Sequence, residues 1–228
     1  MRCGLYGKVP MKRDFIALGA PRDFLAVWEP WMQAGVSASR QTLKEEWQQA
    51  FLTAPIWRFW LGGELCETTV AGAFMPSLDG IGRYFPLTLF ACAEPGTAIP
   101  PPELDPQDDW FAEAEALLLS TLDDGVTFET ITAALEQLRP PLSTLPPART
   151  DDMITVPQGM VAKLEDISPA QRFATMRTAD HGDIYSAATC WWTIGGEGYE
   201  ALAMSGRRMP APFLFTEMLT GRFVFGFE

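Results

Sequence analysis

From Trp57 to Ala93 the chain runs through aromatic and β-branched segments broken by Gly62-Gly63, by Pro76 and by Asp79-Gly80. Side chains of that kind fit a pleated, buried surface and the breakers mark turns, so the stretch predicts three consecutive strands at the centre of a sheet. Leu87 to Ala93, the longest apolar run, has the length of one buried strand and falls far short of a membrane span.

The flanking sequence supplies an opening strand and helices. Cys3 to Val9 reads as a strand closed by Pro10 and followed by a basic turn, Lys12-Arg13-Asp14. Pro21 suits the first position of a helix on which Phe24, Trp28, Trp31 and Gly35 recur at near-helical spacing. Pro30 is expected to kink or divide it, having no amide hydrogen to donate. Thr42 with Glu45 matches a capping box, predicting a second helix to about Thr53. Asp108-Asp109 opens a third, with Phe111, Ala114, Leu118 and Leu122 on one side, and Thr127 opens a fourth, striped by Phe128, Ile131, Leu135 and Leu138.

Pro140, Pro141, Pro146 and Pro147 mark a stiff connection over residues 139–150. The residues beyond it are few for a separate core, so residues 1–228 read as a single domain. In it, a part spanning 1–138 is joined by this linker to a C-terminal lobe, 151–228, on the same sheet. In that lobe Ser168-Pro169 with Gln171 signals a helix start, Ile184 to Ile194 and Tyr199 to Met204 read as strands, and Pro210 or Pro212 opens a last helix. No repeat recurs at periods of 20 to 50 residues.

With 47% hydrophobic and 20% charged residues, the 228-residue chain has material for a full core. Folding at this size buries about 70% of the unfolded surface, so no disulfide or metal is needed for stability. Cys3, Cys66, Cys92 and Cys190 lie far apart, without zinc or thioredoxin-like spacing, and reduced thiols are expected. A net charge of −12 argues against nucleic acid as the partner. The early charges Arg2, Lys8, Lys12, Arg13 and Asp14 leave no signal core, so a cytoplasmic location without membrane insertion is expected. Charge is also unevenly distributed: no lysine or arginine occurs between Tyr84 and Leu138, while ten acids fall from Glu94 to Glu129, predicting an acidic face.

Recognisable catalytic constellations are missing. A serine hydrolase would need His181, the only histidine, together with a nucleophile turn that the chain lacks, and Asp180-His181-Gly182-Asp183 reads as an exposed turn. No Walker-type or dinucleotide glycine spacing is present, and the acid pairs Asp108-Asp109, Asp123-Asp124 and Asp151-Asp152 sit where solvated caps are expected. Met75 through Leu89 differs, gathering turn formers, aromatics, an acid and an arginine between two strands. Asp79-Gly80 turns the chain, Gly82 allows close backbone approach, and Arg83 either clamps Asp79 or offers a fork to a partner's carboxylate.

Three blocks carry a resemblance to a known family: Gly4 to Phe15, Leu52 to Phe59, and Met75-Pro-Ser through Gly82-Arg-Tyr-Phe-Pro-Leu87. With the Trp28-x-x-Trp31 helix between them, this order resembles the TagF family, also called ImpM or SciT, of type VI secretion-associated proteins. The match is weaker around Trp191-Trp192-Thr193 and Pro210 to Leu219. The resemblance implies an α/β protein, a three-layer α/β/α sandwich on a central mixed, largely antiparallel sheet. It implies a regulator that represses secretion after translation by engaging the system's forkhead-associated scaffold protein, without catalytic residue, cofactor or metal. Its motif and interaction candidates are Gly7, Lys8, Pro10, Asp14, Trp57, Arg58, Pro76, Ser77, Asp79, Gly82, Arg83, Tyr84, Phe85, Pro86, Trp191 and Trp192. One or two exposed tryptophans are expected to anchor the partner, and the other tryptophans to be core. A competing expectation is a ligand-binding or enzymatic pocket holding Lys8, Asp79 and Arg83 together.

Overall fold

The computed structural model describes residues 1–141, 151–157, 159–164 and 167–224. The chain forms β1 (Arg2–Gly7), β2 (Ile16–Leu18), α1 (Arg22–Leu43), a 3₁₀ turn (Lys44–Glu46), α2 (Trp47–Thr53), β3 (Trp57–Leu61), α3 (Gly63–Cys66), β4 (Val70–Met75) and β5 (Leu87–Cys92). It continues with α4 (Asp108–Ser120), α5 (Phe128–Gln137), β6 (Met153–Val156), β7 (Gly159–Ala162), α6 (Pro169–Ala179), α7 (His181–Ile184), β8 (Ala188–Thr193), β9 (Leu202–Arg207) and α8 (Leu214–Thr220).

Seven strands make one sheet in the order β2-β1-β5-β4-β3-β8-β9, and β6 pairs with β7 apart from it. The three strands predicted between Trp57 and Ala93 are β3, β4 and β5, buried along their whole length near the sheet centre. Alternation splits their side chains between two cores. Phe59, Phe74 and Phe90 join Trp28, Phe51 and Phe215 of α1, α2 and α8, while Trp60, Ala73 and Leu89 join Phe111, Leu118 and Ile131 of α4 and α5. Helices on both faces explain why the central strands read as continuous apolar runs.

Every pair in the sheet is antiparallel, which narrows the mixed sheet implied by the resemblance. A parallel neighbour needs a crossover connection between adjacent strands. Here the helices instead link strands that pair antiparallel or do not adjoin, as α1 and α2 do between β2 and β3.

Pro30 does not divide α1, which is one helix from Arg22 to Leu43. The lost hydrogen bond costs about 3 kcal/mol. Against it stand the buried Phe24, Trp28, Trp31, Met32 and Val36, and each such side chain contributes about 1.5–3 kcal/mol on burial. The expected capping box at Thr42 is absent, because Thr42 Oγ1 donates back to the Ala38 carbonyl within α1. Thr127 does cap α5, and Ser168 with Gln171 forms a full capping box on α6. Ile184 ends the short α7 rather than opening a strand. Backbone bonds from Asp183, Ile184 and Tyr185 to Asp180 and His181 make a helical turn there, and β8 begins only at Ala188.

β8 and β9 extend the same sheet beyond β3. Pro140 and Pro141 of the predicted linker are described, whereas Pro146 and Pro147 lie outside the described residues. Among the described residues no helix is long and apolar enough to cross a membrane.

Candidate functional site

Two loops carry the motif residues, one leaving β1 at Lys8 and one joining β4 to β5, and they are clasped together. Ser77 Oγ donates to the Lys8 carbonyl (2.8 Å) and the Gly80 amide to the Lys12 carbonyl (2.8 Å). Lys8 Nζ meets Asp79 Oδ2 at 2.5 Å, and Arg83 Nη2 donates to the Arg13 carbonyl. The second loop is a tight hairpin, with the Phe85 amide on the Ser77 carbonyl (3.0 Å) and the Asp79 amide on the Arg83 carbonyl (3.1 Å). Gly7 permits the junction. Its φ is +133° and a Cβ there would stand 2.1 Å from the Pro86 carbonyl oxygen, a contact no other residue tolerates. Gly82 turns the hairpin at φ +83°.

Asp79 is the centre of the clasp. Its Oδ1 accepts from the amides of Ile81 (3.1 Å) and Arg83 (2.9 Å), and its Oδ2 from Lys8 Nζ and from Arg83 Nε at 2.6 Å. Burial by itself would push this carboxyl up, but the bonds from Lys8, Arg83 and Ile81 hold it well below the usual carboxylate range. A carboxylate so committed accepts no proton at neutral pH, and Lys8, itself buried, is spent on the same pair. The pair ties the two loops together and leaves neither group as a free acid or base. Arg83 differs, since its side chain is 56% exposed.

Outside the clasp an open groove of about 680 Å³ runs between α1 and the hairpin. Phe15 and the half-buried Tyr84 give it apolar surface, the buried Val36 and Phe85 also line it, Arg83 stands on one wall and Arg40 on the other. Lys8 and Arg83 line this groove while Asp79 is buried beneath, so the three groups do not converge on one pocket. Phe15, Val36 and Arg40 escaped the sequence reading as site residues. Phe15 ends the first family block and so carried a signal, whereas Val36 and Arg40 come from α1, with no local mark.

The other candidates are dispersed. Pro10 and Pro76 are half-buried at the loop starts, Pro86 is buried, and Asp14 is exposed beside Arg13. Trp57 is core, its Nε1 donating to the Met218 carbonyl (2.9 Å). Arg58 is buried on the opposite face of the sheet, where Nε meets Glu115 Oε1 at 2.5 Å and the guanidinium lies over Phe111. Trp191 stacks among Trp28, Trp31 and Phe59, while its neighbour Trp192 turns to Phe111 on the other side. None of the eight tryptophans is exposed: seven are buried and Trp192 is half-buried, because each lies at a core position of its helix or strand. This corrects the expected tryptophan anchors.

Glu115 likewise leaves the predicted acidic face, since it is bound to Arg58, whereas Glu113 is exposed. His181 is half-buried at the start of α7 instead of in an exposed turn, with Nδ1 3.0 Å from the Thr178 carbonyl. All four cysteines are free, and burial pushes the Cys66 and Cys92 thiols up to about 12, far from nucleophilic thiolates. Among the described residues no cluster of histidine, cysteine or acid could hold a metal ion.

A comparison with curated proteins finds no match. Among solved structures the chain is similar to PA0076 from Pseudomonas aeruginosa PAO1, at 31% identity and a TM-score of 0.76 over 99% of this chain and 98% of that one. The family model for the TagF N-terminal domain, type VI secretion system-associated, matches residues 4–138 and so takes in both loops of the clasp, α1 and the whole groove. The chain belongs to the TagF family of type VI secretion system-associated proteins.

Proposed function

We propose that the protein is a cytoplasmic regulator that represses type VI secretion after translation by binding and sequestering the system's forkhead-associated scaffold protein. The observation that carries this reading is the use to which the family motif is put. Lys8, Ser77 and Asp79 satisfy one another, and what they present outward is a fixed arginine beside an apolar groove. That surface has the aromatic and arginine character of a binding hot spot and holds no poised acid, base or nucleophile. A regulator acting by occupancy needs no turnover. The acidic face offers a second, electrostatic contribution to encounter with a basic surface.

The test is calorimetric titration of the intact protein with the purified scaffold at low and moderate salt. A stoichiometric complex that weakens with salt is expected, with a total interface of at least about 1,000 Å². No heat and no co-elution from folded protein would remove sequestration as the mechanism.

A further inference from the structure

We infer that the groove between α1 and the Gly82–Phe85 hairpin is a docking site for an acidic peptide segment of a partner protein, one carrying an aromatic or branched aliphatic side chain among its carboxylates. The inference deepens the protein-binding reading above and rests on it.

The apolar part of the argument is Phe15. It is 48% exposed, yet its ring is held edge-on against Phe85 at 4.8 Å and stacked with Tyr6 at 6.1 Å. A phenylalanine fixed on the core and open to water on its other side offers a contact with little ordering cost. Val36 of α1, itself buried, lines the same groove.

The charged part is the pair of arginines. Arg83 is anchored through Nε to Asp79 and through Nη2 to the Arg13 carbonyl, which leaves Nη1 without an acceptor among the described residues. Surface arginines ordinarily give up side-chain freedom when they bind, whereas this one is already fixed. Arg40 lies over the Trp47 ring at 4.2 Å, with Nη2 3.5 Å from the Tyr84 carbonyl. Arg13 is exposed next to them, and the acids of the neighbourhood are the exposed Asp14, the buried Asp79 and Glu29, one turn of α1 before Gln33. Lys8, Arg13, Arg40 and Arg83 thus exceed these three acids by one charge on a chain of net charge −12, and complementarity selects an acidic occupant. An open trough suits an extended segment better than a small molecule, which binds where most of its surface is enclosed.

The test uses the intact protein and a fluorescein-labelled peptide, Glu-Asp-Glu-Phe-Asp-Leu-Glu-Asp, read by anisotropy. A Kd of about 10–300 μM is expected, weakening at least about tenfold in Arg40→Glu and in Phe15→Ala, and weakening also when Phe and Leu of the peptide become Ser. Arg40→Glu, on the exposed face of α1, avoids the clasp, so the result does not depend on whether an Arg83 variant folds. Arg207→Glu makes the same charge change on the far edge strand and is expected to leave binding intact; an equal loss there would reduce the effect to net charge and overturn the site. So would the absence of binding at about 1 mM peptide. Displacement by 10 mM acetate or phosphate would make it a small-anion site, and self-association abolished by Arg40→Glu would assign the groove to a second copy of the chain. Both results contradict the inference. If the scaffold binds wild type and both groove variants equally, the groove fails while sequestration stands. If the peptide binds as described and the scaffold does not, the groove stands and the scaffold is the wrong partner.

Discussion

The seven-stranded sheet with its covering helices and the portion of the C-terminal lobe that forms β6, β7, α6 and α7 are built on opposite terms. In the first, aromatic side chains interlock across layers: Trp28 lies 5.4 Å from Phe24, 4.2 Å from Phe59 and 5.9 Å from Trp191, and its Nε1 donates to Thr88. In the second, Arg172 is the one buried side chain among the described residues, held to Asp152 at 2.5 Å. Ile154 and Val161 form a cross-strand pair that is exposed on both sides, and Phe173 is 59% exposed. The comparison teaches that the buried apolar packing lies in the sheet and its helices, while the polar ties of this portion, among the described residues, include the Arg172–Asp152 and Arg177–Glu103 ion pairs, the β6–β7 hairpin and the α6 capping box. Regions with few buried apolar contacts open at low free energy.

The contrast is broken most severely at Trp28. Trp28→Ala should cost about 3–5 kcal/mol in urea unfolding, from lost burial and the cavity left behind; a loss near zero would mean the aromatic layer is not the core of stability. Next comes the clasp. Lys8→Met leaves Asp79 buried without its ammonium partner, and the melting midpoint should fall by about 6 °C or more. The same carboxylate predicts a pH dependence with a fixed sign. Because Asp79 is held below its ordinary 3.8, the unfolded chain takes up the proton first, so its contribution is complete above about pH 4 and is lost as pH falls below 3.8. Wild type should therefore lose stability through this acid range more steeply than Asp79→Asn.

A smaller effect sharpens the comparison directly. Arg172→Ala should strip amide-exchange protection from β6, β7 and α6 while leaving β3, β4 and β5 protected; loss of protection in the sheet would show that lobe and sheet are one cooperative unit. Arg83→Ala should move the midpoint by no more than about 3 °C, since Asp79 keeps Lys8 and two backbone amides and Arg83 is half exposed. Ile154→Thr should stay within about 0.5 kcal/mol of wild type.

What was legible in the sequence follows from how local the determining contacts are. The central strands announced themselves because burial on both faces demands unbroken apolar runs, and the caps at Thr127 and Ser168 were readable because each side chain bonds the backbone three residues on. The Asp79–Arg83 contact belongs to the same class, closed within one turn. Pro30 misled because helix propensity is local and the packing that outweighs it is not. Lys8 and Asp79, 71 residues apart, were associated only by the family blocks. Arg40 and Val36 carried no mark at all, since they become site residues only when α1 lies across the sheet beside the hairpin. Glu115 looked like surface charge until Arg58, 57 residues earlier, met it on the far face.

The most direct test is the amount of secreted substrate released by the source bacterium when the gene for this protein is deleted and then restored. The account predicts that secretion rises on deletion and returns to its basal level with wild type, but stays raised with Arg40→Glu or Phe15→Ala produced at the same abundance. A fall in secretion on deletion would make the protein an assembly factor and contradict repression.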